Sequence, residues 1–241
     1  TFLALEAIGG SITLSYGFNN ALVSILLVSV IILLLSLPIS YYSSKYGLDI
    51  DLLTRGAGFG YIGSTITSLI YASFTFIFLA LEASIMALAL ELAFGLPLHW
   101  GYLVSTLVVI PVVTHGITTI SRFQLLTQPL WVVLQLLPIA YVLIHDVGSV
   151  DNWVQFQGIQ QTDSGLDWLM IGAASTLLFS LVAQIGEQAD FARFIPPKET
   201  AGKFSWWLST ILAGPGWIII GAAKLLLGSF LLVLALNYGI S

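Results

Sequence analysis

The chain is a succession of apolar runs, most about as long as a bilayer is thick, separated by short polar or glycine-bearing gaps. A hydrocarbon core of about 30 Å takes about 20 residues of helix. Seven segments match or approach that length: Thr1 to about Tyr16, Ala21 to about Tyr42, Ile62 to about Phe94, Trp100 to Ile120, Leu125 to Ile144, Trp168 to Gln188 and Trp206 to Leu236. The one long polar gap runs from Asp146 to Asp167, with Trp153 and Trp168 placed for a membrane interface. The pattern predicts an all-α integral membrane protein with about seven transmembrane helices.

Composition fixes the solvent. Only 8% of residues are charged and the mean hydropathy is +0.99, whereas a soluble domain carries about 25% charged residues. Lipid is therefore the partner of most of the surface. Seven Lys and Arg scattered along the chain form no basic face, which excludes nucleic acid as a partner. Without cysteine there is no disulfide, thiolate metal site or Cys nucleophile. The first residue, Thr1, lies inside an apolar run, so the chain reads as a fragment with no recognisable signal peptide.

Charge placement gives an orientation. Lys45 and Arg55 fall between helices two and three, Arg122 between four and five, and Arg193, Lys198 and Lys203 between six and seven. Asp146, Asp151, Asp163 and Asp167 occupy the alternate five-to-six connection. Cations mark the cytoplasmic side, so the N-terminus of helix one is expected there, in a bacterial-type inner (plasma) membrane. Lys224, inside helix seven, is the exception.

Three glycine-bearing sites interrupt the helices: Ile8-Gly9-Gly10-Ser11, Gly172-Ala173-Ala174-Ser175 and Gly214-Pro215-Gly216. Such breaks either build a mid-membrane binding site or let helices pack closely, and the third fits a surface kink equally well. Ionisable residues in a membrane are functional hypotheses by default. Glu82 lies deep in helix three with Phe78 one turn before it on the same face. Together they offer an aromatic plate and a carboxylate to a flat, N–H-bearing ring; the alternative is a carboxyl that ties helices together. Glu6, Ser11 and Glu82 are the candidates to bind a coupling cation or proton, Glu6 also fitting a helix interface. Lys224 either pairs with an acid or reaches for the surface. Glu187 and Asp190 are expected at the cytoplasmic boundary. His99, His115 and His145 are too dispersed for a metal motif, and no hydrolase elbow, phosphate loop or paired acids supports an enzyme in this segment.

Two stretches carry a family resemblance. SKYGLDIDLLTRGAGFGYIGSTI, between helices two and three, resembles the K-x-G…R-x-x-F-G-x-x-G-[SA] pattern of nucleobase–cation–symport family 1, the purine, cytosine and allantoin permeases. After helix six, Gln188-Ala189-Asp190-Phe191-Ala192-Arg193-Phe194 is similar to that family's A-D-[YF]-[ST]-R-[YF] segment, with Ala192 in place of the hydroxyl residue. The resemblance implies a LeuT-type fold of two inverted five-helix repeats. Residues 1–144 would form the first repeat, 145–167 an extracytoplasmic loop, and 168–241 the first two helices of the second repeat. The C-terminal helices would be missing from this chain. In the family, helix three supplies a stacking Trp and a Gln four residues later; those positions fall on Phe78 and Glu82, which depart from both types. Gly9 and Gly10 at the first break, and Phe179 and Gln184 in helix six, complete the implied substrate-binding set. The replacement of an amide by a carboxylate suits a cationic or amine-bearing ligand, or a proton-coupling role.

The runs LEAIGGSITLSYG, DLLTRGAGFGYIGSTITSLIYASFTF and LTQPLW also resemble the permease-like membrane domains of some bacterial hybrid sensor histidine kinases. Two functions follow from the resemblances. One is a secondary transporter of a small nitrogenous, nucleobase-like solute coupled to Na⁺ or H⁺, with no other cofactor. The other is a solute-sensing input domain for cytoplasmic kinase domains in the same polypeptide.

Overall fold

The computed structural model describes residues 4–146, 148–160 and 165–239, and every regular element among them is helical. In chain order these are α1 (Ala4–Tyr46), α2 (Ile50–Thr54), a π-helical turn (Arg55–Phe59), α3 (Gly60–Phe94), α4 (Leu98–Thr114), α5 (Ile117–His145) and α6 (Gly148–Val154). Then come α7 (Trp168–Phe179), a 3₁₀ turn (Ser180–Gln184), α8 (Ile185–Ala192), α9 (Lys198–Ala201), α10 (Lys203–Ala213) and α11 (Gly216–Asn237). Among the described residues, five stretches are long and apolar enough to cross a membrane: Ala4–Tyr46, Ile50–Phe94, Thr118–His145, Trp168–Ala192 and Gly216–Asn237. The apolar stretch Leu98–Pro111 in α4 is shorter.

The first of these stretches is two arms. Gly17 has φ 79° and ψ 167°, outside the helical region. A Cβ added at Gly228 would lie 1.9 Å from the Glu6 carbonyl oxygen, and one at Gly214 would lie 1.9 Å from the Ser40 hydroxyl oxygen. In a straight helix Glu6 and Ser40 would stand about 50 Å apart at 1.5 Å per residue. Their neighbours Gly214 and Gly228 are separated by only about 20 Å of chain at the same rise. The chain therefore turns back at Gly17, in agreement with the gap expected between Tyr16 and Ala21.

The chain divides into two compact units, one made of residue 4 with Leu79–Gln155 and the other of Leu5–Phe78 with residues 156–239. In the larger unit the first arm of α1 runs parallel to α11. Leu5 lies against Gly221, Gly9 against Leu225, and the Thr13 hydroxyl donates to Ser229 Oγ at 2.7 Å. The second arm runs parallel to α7 and α8. Ser24 donates to the Ile171 carbonyl, Ser36 to Gln188 Oε1 and Ser43 to the Ala189 carbonyl. Ile12, Ile25, Ile32, Ile171, Leu178 and Leu225 fill the space between. Beyond the turn, residues 156–160 are stapled to it: Phe18 N–H donates to the Phe156 carbonyl, and Ile159 and Gln160 N–H donate to those of Leu14 and Ser15.

In the smaller unit, α4 packs on α3 where Gly101 meets Ala87; a Cβ there would lie 2.9 Å from the Ala87 Cα. The Tyr102 hydroxyl reaches Ser84 Oγ at 3.4 Å on the same seam.

Several boundaries differ from the sequence reading. The fourth helix ends at Thr114, not Ile120, because Gly116 takes φ 80° and starts α5 at Ile117. Arg122 therefore lies in the first turns of α5 rather than in a connection. The seventh run divides at Gly214-Pro215 into α10 and α11, so those residues end a helix instead of kinking one. The connection after α5 contains α6.

Gly9 and Gly228 define the tightest contact, and side chains there would strike backbone. Gly9→Ala and Gly228→Ala should each destabilise the fold by at least the roughly 1–3 kcal/mol typical of overpacking. Gly172, with nothing within 4 Å of an added Cβ, should accept alanine with no loss and a gain of up to about 1 kcal/mol from helix propensity. Thermal unfolding in detergent or nanodiscs separates the two classes.

Candidate functional site

Glu82 Oε1 accepts the Ala4 backbone N–H at 2.9 Å, and Ala4 is the first described residue of α1. One turn earlier on α3, Phe78 is buried, with its ring tilted 37° on Phe74 at 4.5 Å between centroids.

Of the two roles open to the glycines of the first arm, the structure shows close packing. The helix runs through Gly9 and Gly10 without interruption. A Cβ added at Gly9 would stand 1.9 Å from the Leu225 carbonyl oxygen, and one at Gly10 would stand 3.3 Å from that of Gly228. They are packing residues that bring α1 onto the α11 backbone. The Ser11 hydroxyl donates to the carbonyl of Ala7 on its own helix at 2.8 Å, at an exposed position. Glu6 faces α11, with its Oε1 3.5 Å from Lys224 Nζ. The Lys224 side chain is only 4% exposed, which settles the choice between pairing and snorkelling.

The interruption expected at Gly172–Ser175 lies further along. α7 is regular to Phe179, and the 3₁₀ turn of residues 180–184 then joins it to α8. Gln184 ends that turn buried, and its Oε1 accepts no hydrogen bond among the described residues. Ser175 Oγ is likewise buried with no partner among the described residues. Both are polar atoms for which a bound molecule or water would supply the missing bond. Phe179 is half-buried at the junction.

The two stretches singled out in sequence meet in space. The Ser43 hydroxyl bridges the carbonyls of Leu48 and Ala189. Arg193 Nη1 reaches Asp49 Oδ2 at 3.2 Å, and Gly47, at φ 67°, passes beneath the Arg193 carbonyl. Arg55 pairs with Asp51 at 2.6 Å and also reaches Ser64, anchoring the π-helical turn to α3. Near Asp190, the Tyr71 ring presses on the Cα face of Gly186. A sequence-family model for permeases for cytosine/purines, uracil, thiamine and allantoin matches residues 3–232.

The chain belongs to this permease family. The match takes in every element from α1 to α10 and most of α11, and it is a family of multi-pass membrane transporters rather than enzymes. No curated protein and no solved structure matches the chain.

Some polar residues of this permease fold gave no functional signal in the sequence. Asn20 is fully buried and holds the turn, accepting the Asp167 N–H and donating to the Tyr16 carbonyl. An amide three residues after a glycine, in the gap between two apolar runs, was the available cue. His115 stays local: its Nδ1 lies 2.6 Å from the Pro111 carbonyl oxygen, which can only accept, so the proton sits on Nδ1.

Glu82→Leu leaves the Ala4 N–H without this acceptor and should cost about 1–3 kcal/mol, whereas Glu82→Gln keeps a carbonyl oxygen in place and should cost less. Chemical denaturation of both variants in nanodiscs tests the order.

Proposed function

We propose that this chain is the solute-binding part of a secondary transporter that moves a small nitrogenous, nucleobase-like solute, coupled to a cation, Na⁺ or H⁺. The permease-family match over residues 3–232 carries the reading. On it, Phe78 stacks on the solute ring and the Glu82 carboxylate accepts its N–H groups, with Gln184 and Phe179 contributing from the helix-six junction. A carboxylate where the family resemblance implies an amide favours solutes rich in N–H donors or bearing positive charge. Glu6, Ser11 and Glu82 remain the coupling candidates on this reading.

The architecture we infer is seven crossings of a LeuT-type inverted repeat, with residues 1–144 as the first repeat and 168–241 opening the second. Parity supports it. The first arm of α1 is crossing one and α11 crossing seven, both odd, and they run parallel; the second arm and α7–α8 are crossings two and six, and also run parallel. Cations support the orientation: Lys45 lies over the Tyr41 and Tyr46 rings, Arg193 on Asp49, and Lys198 over Trp206 and Trp207. These gather at one end of the larger unit, which we take as cytoplasmic. Movement of solute then proceeds by alternating access around the mid-membrane site.

Uptake by full-length protein in proteoliposomes tests the proposal, with labelled cytosine, uracil, allantoin and thiamine under Na⁺ or pH gradients. Accumulation should fall about tenfold or more in Glu82→Gln, the cost of weakening a charged hydrogen bond. Phe78→Ala should lose about three- to tenfold, the worth of one aromatic stack. Saturable binding with no accumulation under any gradient sinks the transport reading and favours the solute sensor.

A further inference from the structure

The Glu6–Lys224 pair is held inside the closest backbone contact of the larger unit. Glu6 Oε1 and Lys224 Nζ are 3.5 Å apart, and their side chains are 16% and 4% exposed. The Gly228 Cα sits on the carbonyl of Glu6 itself, and the Gly9 Cα sits on the carbonyl of Leu225, the residue after Lys224. Main-chain contacts thus lie beside both members of the pair, with Lys224 buried and Glu6 partly exposed. α11 has no other ionisable side chain, and α7, on the far side of the core, has none.

A buried carboxylate needs a compensating charge. At this interface the chain supplies one covalently, halfway along α11 rather than at its end. A metal cation drawn to Glu6 would meet an ammonium already within ion-pair distance and be repelled by it. We infer that Lys224 is the built-in counter-cation of Glu6: it fills the place a sodium ion would otherwise take, and this carboxylate works without sodium. The occupancy half of the inference rests on geometry; its consequence, that no sodium dependence of uptake passes through Glu6, rests on the permease reading.

The test uses full-length protein in nanodiscs, titrated with NaCl against KCl at constant ionic strength. Intrinsic tryptophan fluorescence and thermal unfolding are followed, and the quantity read is the sodium response that Glu6→Gln removes. Wild type should show none. Lys224→Gln, which frees the carboxylate, should gain a saturable, sodium-specific rise in unfolding temperature. The double variant Glu6→Gln/Lys224→Gln, neutral at both positions, should lose that gain while remaining folded by gel filtration. A Glu6-dependent sodium response in wild type overturns the inference, as does a folded Lys224→Gln that ignores sodium. In proteoliposomes, thiamine or cytosine uptake should show no sodium dependence that Glu6→Gln abolishes; such a dependence also overturns the inference. If none of the four solutes is taken up, the permease reading fails while the fluorescence result stands on its own.

Discussion

The contact on which the larger unit depends is main chain against main chain, Gly9 on the Leu225 carbonyl and Gly228 on the Glu6 carbonyl. Lipid is as apolar as leucine, so helices in a membrane gain little by burying aliphatic side chains and associate through close packing and polar contacts. With no Cβ between them, the first arm of α1 and α11 approach until their backbones touch. That approach fixes the register at which Thr13 meets Ser229 and Glu6 meets Lys224. A register shifted by one residue would press a Cβ into a carbonyl and part the ion pair together. Packing and electrostatics here select the same alignment, which is the consistency expected of a specified fold.

The second arm is held by a different device. Asn20, Ser24, Ser36, Ser40 and Ser43 are fully buried along one helix, and each finds a partner on another element: Asp167, Ile171, Gln188, Thr210 and Ala189 respectively. Gln188 reciprocates by donating to the Ser36 carbonyl. Small hydroxyls suit this role because they cap a neighbouring carbonyl without forcing helices apart. Large apolar side chains meanwhile face outward, Leu92 and Phe94 among them at 91% and 79% exposure. That is the inverse of a water-soluble protein and fits a lipid solvent.

The helices were legible because apolar run length is a direct consequence of bilayer thickness. The turn at Gly17 was legible because polar residues cluster there. Gly116 was not, because a single glycine between apolar runs looks the same whether it ends a helix or packs inside one. The same ambiguity misplaced the helix-six interruption: Gly172 stays helical, while Ser180–Gln184, with no glycine or proline, tightens to 3₁₀. Gly9 and Gly10 were legible as special with two roles open, since small residues permit both unwinding and contact. Only the partner helix decides between these, and the partner lies more than two hundred residues away. Lys224 posed the same problem: one-dimensional pattern shows a buried charge but not the acid opposite it.

The stretches that carry the family resemblance are not the ones we propose to read the solute. Ser43, Gly47 and Asp49 on one side and Ala189 and Arg193 on the other lock the end of the second arm to the end of α8. Arg55 and Ser64 set the entry into α3. These are architectural tasks, and they require particular residue types whatever is carried. The α3 positions Phe78 and Glu82 lie outside that lock, and it is there that the chain has Phe and Glu where the resemblance implies Trp and Gln. On the proposed reading, architecture and specificity are written in different residues, so membership of the family does not by itself name the solute.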